Sequence, residues 1–314
     1  MDLLKIYTEN NVNNKLWIYS SSDYESIISI LKIVNYLINI LKVDKNDIGI
    51  IYENSIIIKI DTDGLSIYVN NIKVKNPKVV LCRIHSGELV VDYHITILRQ
   101  LELMGSLIVN NIDSIMKSTN KLWHLQDLSY HNIPIATTMS ICSKDIDKYS
   151  NVDDTLKYPI IMKMSRGNRG NQVFQVYSIT NQEELYGVIN KDYPYLFQEY
   201  ISESHGRDLR VVVVENKVVF SIIRKSTSGS VRANLNQGGS GEDVTGQYQD
   251  AEELAIKICK ILKLDICGVD FLFSNKYGYI CCEVNSAVGF TKSKYKDYCI
   301  ERAISEFLYK KMNE

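Results

Sequence analysis

Gly268-Val269-Asp270-Phe271-Leu272-Phe273, followed by Tyr279-Ile280-Cys281-Cys282-Glu283-Val284-Asn285, is the stretch whose reading decides the fold. Two apolar, β-branched runs flank the turn-like Ser274-Asn275-Lys276-Tyr277-Gly278, a pattern that predicts a β-hairpin. Asp270, Glu283 and Asn285 interrupt these strands. Glu283 and Asn285 are two apart and leave the same face of one strand. If Asp270 pairs across from them, three oxygen-bearing side chains converge. A carboxylate on an apolar strand is costly unless hydrogen-bonded or neutralised. A hard divalent cation shared with phosphate oxygens would neutralise it. From these residues alone, an edge hairpin with its carboxylates in water competes with that reading.

Composition sets the frame. The 314 residues suffice for two or three domains, and with 45% hydrophobic and 23% charged residues the chain reads as ordinary soluble protein. Lys+Arg at 36 nearly balances Asp+Glu at 37, so nothing overall asks for nucleic acid or an acidic membrane. The seven cysteines are odd in number, lack CxxC spacing and sit mostly in apolar runs, as reduced core residues of an intracellular protein would. Met1-Asp2-Leu3-Leu4-Lys5 has no signal-peptide pattern, and Ser29, Lys32, Asn35, Asn39 and Lys42 break the apolar run Ile27 to Val43. A cytoplasmic chain without a membrane span is expected.

Upstream of the hairpin the chain alternates between types. Trp17 to Tyr19 predicts a strand, and Ser22-x-x-Glu25 a capping box opening a helix over about 24–41. Strands follow at Ile48 to Tyr52, Ser55 to Asp61, Leu65 to Val69 and Lys78 to Cys82, then a helix, Asp92 to Met104, and a strand, Leu107 to Asn110. This alternation implies an open α/β unit, whose ligand crevice lies beyond the carboxyl ends of its strands, where Arg83 and the loop from His85 to Glu88 fall. A solvated loop end is the other reading of Arg83. A helix from Lys121 to about Asn132 stops before Pro134. Tyr158 to Met164 is a strand carrying Lys163, and it runs into Ser165-Arg166-Gly167-Asn168-Arg169-Gly170-Asn171-Gln172. A lysine beside such a loop suits a phosphate, although the loop is not a Walker A motif and snorkelling lysines are common. His124 and His131 read as surface or capping residues rather than ligands, and no serine sits in a nucleophile elbow.

The third segment opens with Tyr195-Leu196-Phe197-Gln198-Glu199-Tyr200-Ile201. Asp208-Leu209-Arg210 then leads into a hairpin, Val211 to Val214 with Lys217 to Ile223, ended by Arg224 and Lys225. The polar stretch Ser226 to Glu242 holds Arg232, Asn234 and Gly238-Gly239, and reads as a lid, a binding loop or a flexible surface loop. A helix from Asp250 to Leu262 precedes the opening hairpin, and an amphipathic helix over about 295–312 closes the chain.

In order and spacing these pieces resemble the ATP-grasp superfamily, and within it the RimK-like branch of ligases that attach amino acids such as glutamate to the carboxylates of peptides, proteins or small acceptors. The most specific are Ile97-Leu98-Arg99-Gln100-Leu101-Glu102-Leu103-Met104-Gly105-Ser106, Asn120-Lys121-Leu122, Gln198-Glu199-Tyr200-Ile201, Asp208-Leu209-Arg210, Arg232-Ala233-Asn234-Leu235, Gly268-Val269-Asp270 and Glu283-Val284-Asn285. The resemblance runs from about Val79 onward. It implies an α/β pre-ATP-grasp domain over 1–113 and two α+β subdomains clasping ATP, a central lid over 114–198 and a metal-bearing subdomain over 199–314.

The resemblance also implies roles. Lys121 and Lys163 would contact nucleotide phosphates. Gln198, Glu199, Tyr200 and Ile201 would form the adenine hinge, and Asp208 would face the ribose. Asp270, Glu283 and Asn285 would hold one or two Mg2+, with Mn2+ as a substitute. Arg210, Arg224, Lys225 and Arg232 would bind the γ-phosphate, the acyl phosphate or a substrate carboxylate, with Asn234 assisting. The implied activity is carboxylate–amine ligation through an acyl phosphate, releasing ADP and phosphate, with small-molecule or peptide substrates and a homo-oligomeric assembly (dimer or tetramer). A thiol or carrier-bound nucleophile, or a degenerate nucleotide-binding regulator, are the alternatives. Two departures stand out. Relatives commonly place Pro-Gly after the metal-binding asparagine, whereas Asn285 is followed by Ser286-Ala287-Val288-Gly289-Phe290, and the phosphate-covering loop carries Arg166 and Arg169.

Overall fold

The computed structural model describes residues 14–21, 24–85, 87–141, 143, 146, 156–167, 172–227, 229, 239–290 and 299–314, with side chains from 27 onward in the second of these stretches. Ser22 of the capping box, residues 168–171 of the phosphate-covering loop, and Arg232 and Asn234 lie outside the described residues.

Continuous apolar runs become parallel strands buried on both faces. β1 (Leu16–Ser20), β2 (Ile48–Tyr52), β6 (Val79–Cys82) and β7 (Leu107–Val109) form a parallel sheet in the order β2-β1-β6-β7. Helix α1 (Tyr24–Asn39) links its first two strands, and α2 (Thr96–Leu103), entered through a π-helical turn at Val91–Ile95, links the last two. Between β2 and β6 the chain makes an antiparallel meander of β3 (Ile56–Asp61), β4 (Gly64–Val69) and β5 (Ile72–Val74). Its first turn ends at Gly64, whose φ of 114° suits glycine.

Two short helices follow where the sequence signalled one. Asn120 breaks them: it ends α3 (Ile112–Thr119) and caps α4 (Lys121–Tyr130), its side chain accepting from Leu122 N at 3.0 Å. A four-stranded antiparallel sheet comes next, ordered β10-β9-β11-β8, from β8 (Thr138–Ile141), β9 (Ile160–Met164), β10 (Val173–Val176) and β11 (Tyr195–Glu199), with α5 (Ile179–Tyr186) between its last two strands. The carboxyl-terminal sheet is antiparallel and five-stranded, β14-β13-β12-β15-β16. Its strands are β12 (Arg207–Val214), β13 (Lys217–Lys225), β14 (Ser240–Asp243), β15 (Ile266–Ser274) and β16 (Gly278–Asn285), with α6 (Gln249–Leu262) before β15 and α7 (Cys299–Asn313) after β16. The expected hairpin is therefore β15–β16.

One apolar core crosses the chain. Leu16 and Ile18 of β1, Ile33 and Leu37 of α1, Val212 and Phe220 of the last sheet, and Ile304 and Leu308 of α7 share it. A second core lies under the other face of the five-stranded sheet, against α6. There Cys259 and Cys267 form a disulfide, which corrects the expectation of seven reduced cysteines. The pairing follows from α6 lying on β15, a contact no sequence spacing encodes.

Candidate active site

The ladder places charges side by side. Arg210 stands across from Asp270 between β12 and β15, and Asp208 across from Arg224 between β12 and β13. Arg210 donates through Nε to Asp270 Oδ1 at 2.6 Å and through Nη2 to Oδ2 at 2.7 Å. Arg224 grips Asp208 in the same way, at 2.7 and 2.6 Å, and its Nη2 also lies 3.0 Å from Asp270 Oδ2. Paired donors of this kind fix direction as well as charge. Burial alone would raise the Asp270 pKa, but Arg210 and Arg224 outweigh it and hold the carboxyl below its ordinary value. A β-carbon at Gly268 would make ordinary contacts, 3.7 Å from Arg210 Nε and 3.4 Å from Val288 Cγ2, with little room beyond it.

Glu283 faces Asp270 across the β15–β16 ladder, and Asn285 faces Gly268. A register irregularity after Asp270 puts Phe271 opposite Cys281, so Cys282 bulges. Glu283 Oε1 lies 3.3 Å from Lys121 Nζ. Burial works to raise the Glu283 pKa, yet Lys121 and its neighbours pull it below the ordinary value. The amide Nδ2 of Asn285 is buried without a protein partner.

Both lysines expected at phosphates arrive at β16. Lys121, the first residue of α4, is held by its own N–H to Ser165 O at 2.9 Å and reaches Gly167 O through Nζ at 3.1 Å. Lys163 on β9 is buried, and its Nζ donates to Cys282 O at 3.4 Å. A parallel bridge from Ile135 to Cys281, and Cys281 N donating to Pro134 O at 2.9 Å, fasten the segment before β8 to the same strand.

The residues expected at the hinge lie where β11 ends. Gln198 is buried and donates to Thr138 Oγ1 at 2.7 Å, Glu199 is exposed and accepts from Thr137 Oγ1 at 3.1 Å, and Ile201 is buried. The Tyr200 hydroxyl meets His205 Nδ1 at 2.5 Å. Asp208 spends both oxygens on Arg224. Lys225 is not brought to the cluster: strand alternation turns it away from Arg224, and it sits 3.4 Å from Glu242 on β14.

His124 overturns its sequence reading as a surface or capping residue. It is fully buried beside Lys121, Lys163 and Glu283, and burial pushes its imidazole down to about 3, so it is neutral at ordinary pH. The available signal was its spacing, three residues after Lys121 on a capped helix and hence on the same face. His131, as expected, is exposed at the carboxyl cap of α4. Arg83, placed by its sequence at an open crevice, is 2% exposed and donates to Ser29 Oγ at 3.2 Å and Val288 O at 2.8 Å.

Two antiparallel sheets and α4, bringing lysines, arginines and facing carboxylates together around β15 and β16, define an ATP-grasp fold. A solved RimK domain protein ATP-grasp from Sphaerobacter thermophilus superposes with a TM-score of 0.67 over 92% of this chain and 98% of that one, at 15% identity. The chain belongs to the RimK-like ATP-grasp family, whose domain model matches residues 118–308. Beta-citrylglutamate synthase B of Danio rerio is 38% identical over 215 residues, 68% of this chain and 53% of that protein. N-acetylaspartylglutamate synthase A of Homo sapiens is 39% identical over 215 residues, 68% of this chain and 55% of that protein. The chain thus spans about half the length of these curated relatives.

Proposed function

We propose that the chain is an ATP-dependent carboxylate–amine ligase that forms an amide through an acyl phosphate and releases ADP and phosphate. The observation that carries this reading is the charge arrangement around β15 and β16: Asp270 clamped by Arg210 and Arg224, with Glu283 opposite it and held by Lys121.

For a carboxylate to attack the γ-phosphate, two anions must meet. Lys121 and Lys163 hold the phosphates, while Arg210 and Arg224 stabilise charge on the transferring group and then on the acyl phosphate. Asp208 orients Arg224 rather than standing free. Gln198 to Ile201 carry the adenine, and Arg232 and Asn234 are assigned to the phosphate or the substrate carboxylate. Positioning and charge supply the rate, and an amine then attacks the activated carbonyl.

The donor set fits Mg2+. Glu283, and Asp270 through oxygens that also accept from Arg210 and Arg224, offer hard oxygens from adjacent strands. Asn285 would add its amide oxygen while its unpartnered Nδ2 suits a phosphate oxygen, and phosphate oxygens complete such sites. When bound, the ion would neutralise phosphate oxygens and the transferring phosphoryl group. Both relatives are named for products containing glutamate. That supports an acidic amino acid as amine and a second carboxylate as acceptor.

The test is to incubate the protein with Mg2+, ATP and panels of amino acids and carboxylates. ADP and phosphate should appear with the productive pair, and hydroxylamine should trap the activated carboxylate. Formation of AMP and pyrophosphate in every productive mixture would refute the assignment.

A further inference from the structure

Asn285 ends β16, and the five residues after it, Ser286 to Phe290, include no proline to fix their course. A Pro-Gly turn would set the exit of the chain by itself. Ser286 and Ala287 leave that backbone free to vary, yet Ala287, Val288 and Phe290 are buried. The restraint comes from the other end of the molecule. Arg83, one residue beyond the carboxyl end of β6, donates through Nη2 to Val288 O at 2.8 Å, and its guanidinium lies 5.6 Å from the centre of the Phe290 ring. Beside it, just past β7, Asn110 Nδ2 donates to Ile266 O at 2.8 Å and to Ser286 O at 3.3 Å, while its Oδ1 accepts from Ile266 N at 2.8 Å.

Arg83 is an expensive way to fill space. Its Nε is buried without a hydrogen-bond partner, and among the described residues no carboxylate lies within ion-pair distance. A buried cation without a counter-ion is costly, and an apolar side chain of similar volume would pack there at less cost. What the apolar side chain would lack is the donor to Val288 O and the charge over Phe290.

We propose that Arg83 is the positioning residue for Asn285, fastening the turn beyond it to the amino-terminal sheet in place of a rigid proline turn. The inference rests on Asn285 being a metal donor. Partners behind a ligand orient it, and losing them weakens metal binding.

The experiment measures Mn2+ affinity by electron paramagnetic resonance on the full chain saturated with a non-hydrolysable ATP analogue, with melting followed in parallel. Arg83→Met should weaken Mn2+ binding about tenfold, leave metal-free nucleotide affinity unchanged, and be largely rescued by Arg83→Lys. Asn285→Ala is the reference. If it binds Mn2+ like the parent, the metal reading itself fails. If it is weakened while a cooperatively melting Arg83→Met is not, the role given to Arg83 alone is overturned. Should Arg83→Met not fold, Phe290→Leu removes the ring beneath the guanidinium and keeps the apolar bulk. It should weaken Mn2+ binding about threefold, and unchanged affinity in the folded variant would overturn the proposal.

Discussion

Asp270 and Glu283 stand opposite each other in one ladder, yet each is neutralised by a different part of the chain: the first by Arg210 and Arg224 of the same sheet, the second by Lys121 from α4. The two carboxylates therefore differ in what their loss should do.

Asp270→Ala leaves Arg210 without its carboxylate and takes from Arg224 one of its two, Asp208 remaining. Breaking a buried pair from one side should destabilise the fold by about 3 kcal/mol, with turnover lost as well. Glu283→Gln keeps an oxygen facing Lys121, which also stays bonded to Gly167 O, so urea melts should shift little while turnover drops roughly a hundredfold. Equal losses of stability in the two variants would contradict the asymmetry.

Lys121→Met removes a cation that now bridges Glu283 and Gly167 O. Calorimetric titration with ATP and Mg2+ should show affinity reduced about tenfold or more, the scale of one charge-assisted contact. Lys163→Met should behave alike, whereas Lys225→Met, on the far face, should bind ATP as the parent does.

Acid should act in two stages. His124 has its pKa lowered from 6.5 to about 3, so between these values the unfolded chain takes up a proton that the folded chain refuses. Stability from this group is complete above pH 6.5 and is lost as pH falls toward 3, by at most about 1.4 kcal/mol per pH unit. Asp270 and Glu283, both held below their ordinary values of 3.8 and 4.5, add their loss only at lower pH. Urea denaturation at pH 7 and pH 5 should show a smaller decline for His124→Gln than for the parent, and parallel declines would remove His124 from the account.

Space at Gly268 sets a size limit. An added β-carbon would make ordinary contacts with Val288 and Arg210, so Gly268→Ala should melt close to the parent. The branches of Gly268→Val would press on both, displacing Arg210 from Asp270 and overpacking the turn, at about 1–3 kcal/mol. A valine variant with parental stability and turnover would show that this close approach is not needed.

The hairpin, the strand β11 and the strand carrying Lys163 were legible because each is a local pattern, an apolar run broken by a polar residue. β5, β8 and β14 were not, because they lack the continuous apolar run that marks β6 and β7, which are just as short. Helix α5 has a local signal, a Ser178 cap whose side chain accepts from Asn181 N. The arginine clamp on Asp270 could not be read at all, because it depends on the register of β12 against both neighbours. Burial of His124 and Arg83 likewise depends on what packs over them, and helical or strand spacing says only which face they share.

The core shared by β1, α1, the five-stranded sheet and α7 has a consequence for how the chain acquires its shape. The antiparallel four-stranded sheet is in effect an insertion between two halves of one nucleus, so β1 and β2 keep part of their buried face uncovered until the five-stranded sheet and α7 have formed. Such a topology has many contacts between residues distant in sequence and should fold slowly. Truncation before Cys299 should damage the amino-terminal sheet more than the central one that lies nearer in sequence.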